Sequence, residues 1–129
     1  MHLILDFEIN DLPQTINQIG RKHWTVKYKE ANKWKQLVTA QVRKRLKTEP
    51  KLNRATLELT RHSARECDFD NLASSFKHVI DGLKVAGVIT DDKPSIIGSP
   101  IFKWEYAAKG NGKITVRVYS PDLSSVGKA

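Results

Sequence analysis

Apolar and polar positions alternate along this chain with two distinct periods. Leu3, Leu5 and Phe7 alternate with Ile4, Asp6 and Glu8, the period of two that turns one strand face toward a core. Residues 2–9 are therefore expected to form a strand with those three side chains on one side. From about 30 to 47 the period lengthens, with Trp34, Leu37, Val38, Val42 and Leu46 at helical spacing, and an amphipathic helix ending before Pro50 is predicted. Alternation returns through Leu57 and Leu59, so residues 55–64 are a second expected strand. Leu72, Phe76, Val79, Ile80, Leu83 and Ala86 then make one apolar stripe and predict a single helix, with Asp70 or Asn71 available to cap it and Gly87 to end it. Ile101–Tyr106 places Phe102, Trp104 and Tyr106 on one face. The turn signal KGNGK before Ile114–Tyr119 predicts a terminal hairpin.

The order strand, helix, strand, helix, strand, strand implies an α/β (α+β) fold: two layers, with a mixed sheet and two main helices packed on one face. No internal repeat or boundary interrupts it. One domain over 1–120 is expected, with 121–129 as a flexible tail.

Composition narrows the partners. A chain of 129 residues can bury one core. Its 22 basic residues against 14 acidic ones give a net charge of +8, which favours a polyanion, because clustered cations gain affinity by releasing counterions from a phosphate backbone. The single cysteine, Cys67, excludes an internal disulfide and a four-cysteine zinc site. With no fixed partner in the pattern, Cys67 is expected to be a small packed side chain rather than a nucleophile. The start MHLILDFEIN lacks a basic leader, and no run approaches the roughly 20 apolar residues that cross a bilayer. A cytoplasmic protein without a membrane partner is expected.

Between the first strand and helix, Pro13 and Gly20 interrupt any long periodicity, while Arg21, Lys22, His23, Lys27 and Lys29 gather around Trp24 and Tyr28. That mixture suits phosphate contacts with an aromatic ring against sugar or base. It equally suits a solvated loop whose Trp24 plugs the core. The helix cations Lys33, Lys35, Arg43, Lys44 and Lys47 are most simply a solvated face.

Acidic residues are scarce, yet four fall in two tight clusters, CDFDNL and TDDK. In an extended segment Asp68 and Asp70 point the same way, with Cα atoms roughly 7 Å apart, so both carboxylates can reach one hard cation, magnesium or manganese. The alternative is that they cap a helix while Asp91-Asp92-Lys93-Pro94 makes a turn. A straight intervening helix would carry Asp91 and Asp92 roughly 25 Å away. A shared site thus requires the chain to double back after Gly87, or a second subunit.

The run DFDNL, then Lys77, then Ile80-Asp81-Gly82-Leu83, then AGVITDD resembles the D-x-D-N-L … K … D-x-L … G-x-x-x-D-D signature of RusA-type Holliday junction resolvases, a family common in phages and prophages. INQIGRKHWTVKYKEANKW is similar to the basic region preceding the first helix of phage members, so the resemblance covers most of residues 10–92. It implies a RusA-like homodimeric endonuclease in a bacterial or phage-infected cell. Such an enzyme uses Mg²⁺, with Mn²⁺ as a substitute, to make paired nicks in four-way DNA junctions, and has no small-molecule substrate.

By that resemblance Asp68, Asp70 and Asp92 are catalytic metal ligands, and Asp91 is a lesser candidate ligand. Lys77 takes the place of the family's helix lysine, three residues later than in the type member, where Ser74 now stands. An i,i+4 pair with Asp81 is the other reading of Lys77. Arg21, Lys22, His23, Lys27, Arg61 and Arg65 would hold the DNA backbone. Two other functions fit the same residues: a non-catalytic basic DNA-binding protein, and a metal-dependent nuclease acting on another branched DNA or RNA. A phospho-acceptor receiver domain is disfavoured, since the acidic pair comes late and the leading strand lacks it.

Overall fold

The computed structural model describes residues 1–15 and 22–121. Arg21 and all but the first residue of the expected tail lie outside them. Four strands, β1 (His2–Ile9), β2 (Thr56–Ser63), β3 (Ile101–Tyr106) and β4 (Lys113–Ser120), form one mixed sheet in the order β1-β4-β2-β3. The helices are α1 (Trp24–Arg45), α2 (Phe69–Ser75), α3 (Lys77–Val85) and the single turn α4 (Pro94–Ile97). The expected two-layer α+β architecture is what the chain adopts.

Register explains why the helices take one face. Leu59 of β2 is level with Val116 of β4 and Phe102 of β3, and Phe7 of β1 with Val116. Side chains at these positions project to the same side, where Leu5, Phe7, Leu57, Leu59, Ile114, Val116 and Val118 are buried. Trp34, Val38 and Val42 of α1, Phe76, and Val79 and Leu83 of α3 close the same core. The opposite face carries cross-strand ion pairs: Asp6 to Arg117 at 3.6 Å, Arg117 to Glu58 at 3.5 Å, and Lys103 to Glu58 at 3.3 Å. Each such exposed pair is worth little, but together they suit a sheet face turned to water.

Several expectations need correction. β3 and β4 do not form a hairpin: β4 lies between β1 and β2, antiparallel to both, and β3 pairs with β2 in parallel. The cause is burial. β4 has few solvent-facing positions and belongs at the centre, whereas β3, mostly exposed or half-buried, suits an edge. The connection 107–112 therefore crosses the end of β2. On β1 the register slips between Leu3 and Leu5, a bulge that leaves Leu3 48% exposed instead of on the core face.

The second long helix is two. Ser74 Oγ and Ser75 Oγ donate to the Asn71 and Leu72 carbonyls at 3.2 and 2.8 Å, competing with the helical ladder. Phe76, at φ −91° and ψ 2°, is fully buried and stacks on Phe102 with ring centres 6.0 Å apart. The first helix starts at Trp24, earlier than its apolar period suggested, because His23 caps it, Nδ1 accepting from the Thr25 N–H at 3.2 Å.

α3 stops as expected at Gly87. There φ is +79°, and the Val88 N–H donates to the Leu83 carbonyl while the Gly87 N–H donates to that of Lys84; this is the six-to-one and five-to-two pattern of a glycine-terminated helix. Lys77 and Asp81 make no ion pair. Asp81 instead faces His78, with Oδ2 3.9 Å from Nδ1. No helix among the described residues is long and apolar enough to cross a membrane.

Candidate functional site

β2 delivers its last side chains to a cavity of about 470 Å³ at its C-terminal end. Arg61 and Ser63 enter from the strand, Arg65, Glu66 and Cys67 from the loop, and Asp68 and Asn71 from the start of α2. Ala108, Lys109 and Gly110 come from the β3–β4 connection. Three cations, Arg61, Arg65 and Lys109, and two carboxylates, Glu66 and Asp68, thus share one concavity.

Asp68 is the N-cap of α2. Its Oδ1 accepts from the Asn71 N–H at 2.9 Å, and the Asn71 side-chain amide donates to Oδ1 at 3.1 Å and Oδ2 at 3.0 Å. Neither of the expected caps, Asp70 and Asn71, has that place. The cap also changes the geometry of the D-x-D pair. Because the helix begins at Phe69, Asp68 and Asp70 are separated by two helical steps of about 100° rather than sharing a strand face. Asp70 lies exposed in the first turn, where its charge complements the helix dipole.

Arg61 is not the exposed phosphate contact anticipated. Level with Ile114 and Trp104 on the helix-covered face, it is 5% exposed, and its Nη1 donates to the Pro13 carbonyl at 2.6 Å. Burial lowers its pKa, and proximity to Cys67 opposes that shift. Arginine nonetheless remains a cation in proteins. Beside it, Ser63 Oγ donates to the Arg65 carbonyl at 2.8 Å and accepts from Trp104 Nε1 at 2.9 Å, so the strand end is held on both sides. Cys67 is half-buried in the cavity wall and unbridged. Arg65 is exposed at the rim.

The second acidic cluster is at the other end of β2. After Gly87 the chain runs beside residues 51–52: the Leu52 N–H donates to the Val88 carbonyl, the Thr90 N–H donates to that of Leu52, and Leu52 and Ile89 form a parallel bridge. Those residues precede β2, whereas Asp68 follows it, and an eight-residue strand spans roughly 23 Å. Asp91 is held by Lys84 at 3.0 Å and Lys93 at 3.6 Å. The Lys84 ammonium holds the Asp91 carboxyl well below the usual carboxylate range, helped by the Asp92 N–H that donates to Asp91 Oδ1 at 2.8 Å. Asp92 itself is exposed.

One chain therefore does not bring Asp92 to Asp68 and Asp70. Among the described residues no group of three His, Cys, Asp or Glu side chains could hold a metal ion. Lys77, the first residue of α3, is exposed and makes no ion pair with Asp70 among the described residues.

The basic and aromatic segment lies at the cavity end. β1 and β2 are both antiparallel to β4, so their C-termini point the same way. Lys33 of α1 pairs with Asp11, just past β1, at 2.7 Å. Arg45, at the other end of α1, bonds the Asp6 carbonyl within β1 at 3.0 Å. The N-terminus of α1, with Lys22, His23 and Lys27 exposed, is thereby carried to the Asp68 end. Trp24 does not plug the core: it is 69% exposed, and the fully buried tryptophan is Trp34, whose Nε1 donates to the buried Glu30 at 2.7 Å.

Sequence reasoning missed Lys109 and Gly110 in the cavity wall and the carboxylate of Glu30 in the core. Nothing local marks the first two, which arrive by topology. The i,i+4 spacing of Glu30 and Trp34 is the signal for the third. No protein-family model matches the chain, and no curated protein matches it.

Proposed function

We propose that the chain is an endonuclease of branched DNA, acting on four-way junctions as a homodimer. The observation carrying this reading is the meeting of a buried guanidinium, Arg61, and a capping carboxylate, Asp68, in one cavity at the sheet end that also holds the basic start of α1. A phosphodiester entering there would meet exposed Arg65 and Lys109 above the buried charge of Arg61, and these cations attract it without reading bases.

Asp68 and Asp70 supply hard oxygen donors suited to Mg²⁺ or Mn²⁺. The residues of one chain fit such an ion only in part, because Asp68 and Asp70 do not share a face and, among the described residues, no group of three His, Cys, Asp or Glu side chains comes together. Water would complete the shell, or the acidic turn of a second copy. When bound, the ion lowers the pKa of a coordinated water and neutralises charge on the phosphate. Exposed Arg65 and Lys109 would hold the phosphate, buried Arg61 would add its positive charge from beneath, and Asn71 would fix the Asp68 carboxylate through its two amide N–H donations.

A second reading, a non-catalytic DNA-binding protein, is favoured by the full engagement of Asp68 as a helix cap. Incubation with a labelled mobile four-way junction, with and without Mg²⁺, separates the two. Symmetric nicks from the wild type that disappear in Asp70→Asn, with binding retained, are the expected result. Binding without nicks across Mg²⁺ and Mn²⁺ would establish the second reading instead.

A further inference from the structure

α1 overhangs the sheet. Its first buried residue is Glu30, so nearly two turns precede any burial, and they present Trp24 at 69% and Tyr28 at 66% exposure. At i and i+4 these rings lie about 40° apart around the axis, on one face and one turn from each other. His23 leans on Trp24 with ring centres 5.6 Å apart. Lys22, Lys27 and Lys29 are exposed within a few residues of the pair, Lys27 about 60° from Trp24 around the axis, and the first turn contains no acidic residue. The overhang projects from the end of the sheet that carries the cavity, as the Lys33–Asp11 pair requires.

We propose that Trp24 and Tyr28 form a stacking platform for unpaired nucleotides, with the nearby lysines holding their phosphates; the inference rests on the nucleic-acid reading above and specifies which strands the protein grips. Charge complementarity selects this occupant. Two flat rings set among cations match successive bases on an anionic backbone, since every base has a face to stack and every link carries a charge. A second copy docking here would bring like charges together over a small apolar patch.

The test uses the full chain without divalent metal, with an oligothymidylate of about a dozen nucleotides as probe. Trp34 is fully buried and Trp104 half-buried, so quenching of red-edge emission reports Trp24 in the wild type, while anisotropy of a fluorescein-labelled oligothymidylate reads affinity in every variant, including those that lack Trp24. The wild type should be quenched. Trp24→Ala and Tyr28→Ala should each weaken binding about tenfold, while Trp24→Phe keeps most of it and affinity for a plain duplex changes less than about twofold. Unaltered far-UV circular dichroism excludes unfolding as the cause.

Equal oligothymidylate affinity in wild type and Trp24→Ala would overturn the proposal. So would a blue shift of Trp24 on phosphatidylserine vesicles without any response to oligothymidylate, or a concentration-dependent dimer abolished by Trp24→Ala. The proposal and the nuclease reading fail separately. Asp70→Asn should bind oligothymidylate like wild type even if no junction is ever cut, and junction nicking would survive a negative stacking result.

Discussion

Gly82 of α3 lies directly against Val38 of α1, and adding one methyl there tests the packing of these two helices. A Cβ at position 82 would lie 2.8 Å from Val38 Cβ, and 3.1 and 3.2 Å from its two γ-carbons. Apolar carbons rest at about 3.5–4.0 Å, so the helices must separate by a sizeable fraction of an ångström. α1 cannot yield freely, because Trp34, Val38 and Val42 are buried in the core that the sheet closes. Overpacking of this kind costs about 1–3 kcal/mol. Replacing a mid-helix glycine by alanine returns up to about 1 kcal/mol through propensity.

Gly82→Ala should therefore lose about 1 kcal/mol net, taking about 2 kcal/mol for the overpacking and about 1 kcal/mol for the propensity gain. Urea unfolding followed by circular dichroism should show a lower midpoint with an unchanged slope. Val38→Ala alone opens a cavity and also destabilises. In the double variant the new methyl occupies the vacated space, so its loss should fall short of the summed single losses by about 1 kcal/mol or more. A Gly82→Ala protein as stable as wild type, or strict additivity, would refute this account of the contact.

Two further substitutions probe the acidic clusters. Asp68→Ala should cost about 0.5–2 kcal/mol through the lost cap, whereas Asp68→Asn keeps a capping oxygen and most of the stability; thermal melts beside junction cleavage would distinguish the two roles, since Asn should still abolish metal-dependent nicking. Asp91 has a folded-state pKa depressed below its ordinary value of 3.8 by Lys84, so its contribution is present above about pH 4 and is lost as pH falls below that. The stability gap between wild type and Lys84→Met should accordingly be level from neutrality to about pH 4 and close at lower pH, and high salt should shrink it throughout; a gap that widens on acidification would contradict the pairing.

Strands and core-facing helix positions were legible because burial imposes a period on residues a few positions apart. Phe7, Leu57, Leu59, Trp34 and Val38 were all placed correctly in that way. Pairing is less legible, since it compares distant segments. KGNGK looks like a hairpin turn locally, and only the greater burial of β4 over β3 decides that β4 leaves its sequence neighbour for the centre. The break at Phe76 had a sequence signal in Ser74-Ser75 that the continuous apolar stripe concealed.

At the candidate site, the D-x-D element drew attention to a loop that lines the cavity, yet its geometry was misjudged because Asp68 starts a helix instead of ending a strand. Arg61 was visible as a cation but not as a buried one. The Pro13 carbonyl that accepts from it is 48 residues away. How Asp92 relates to Asp68 depended on the same long-range information, the pairing of residues 51–52 with 88–90.

The position of β4 also governs how the protein is made. Among the described residues β1 pairs with no strand except β4, and β2 and β1 are joined only through it. β1 is thus synthesised long before β4, the strand that gives it a hydrogen-bonded partner. Until residues 113–120 emerge, the nascent chain can form helices but not this sheet, and two strand edges stay open to wrong pairing. A stop codon before Lys113 would leave a helical fragment with no closed sheet, so clearance by proteolysis is the expected fate of interrupted translation.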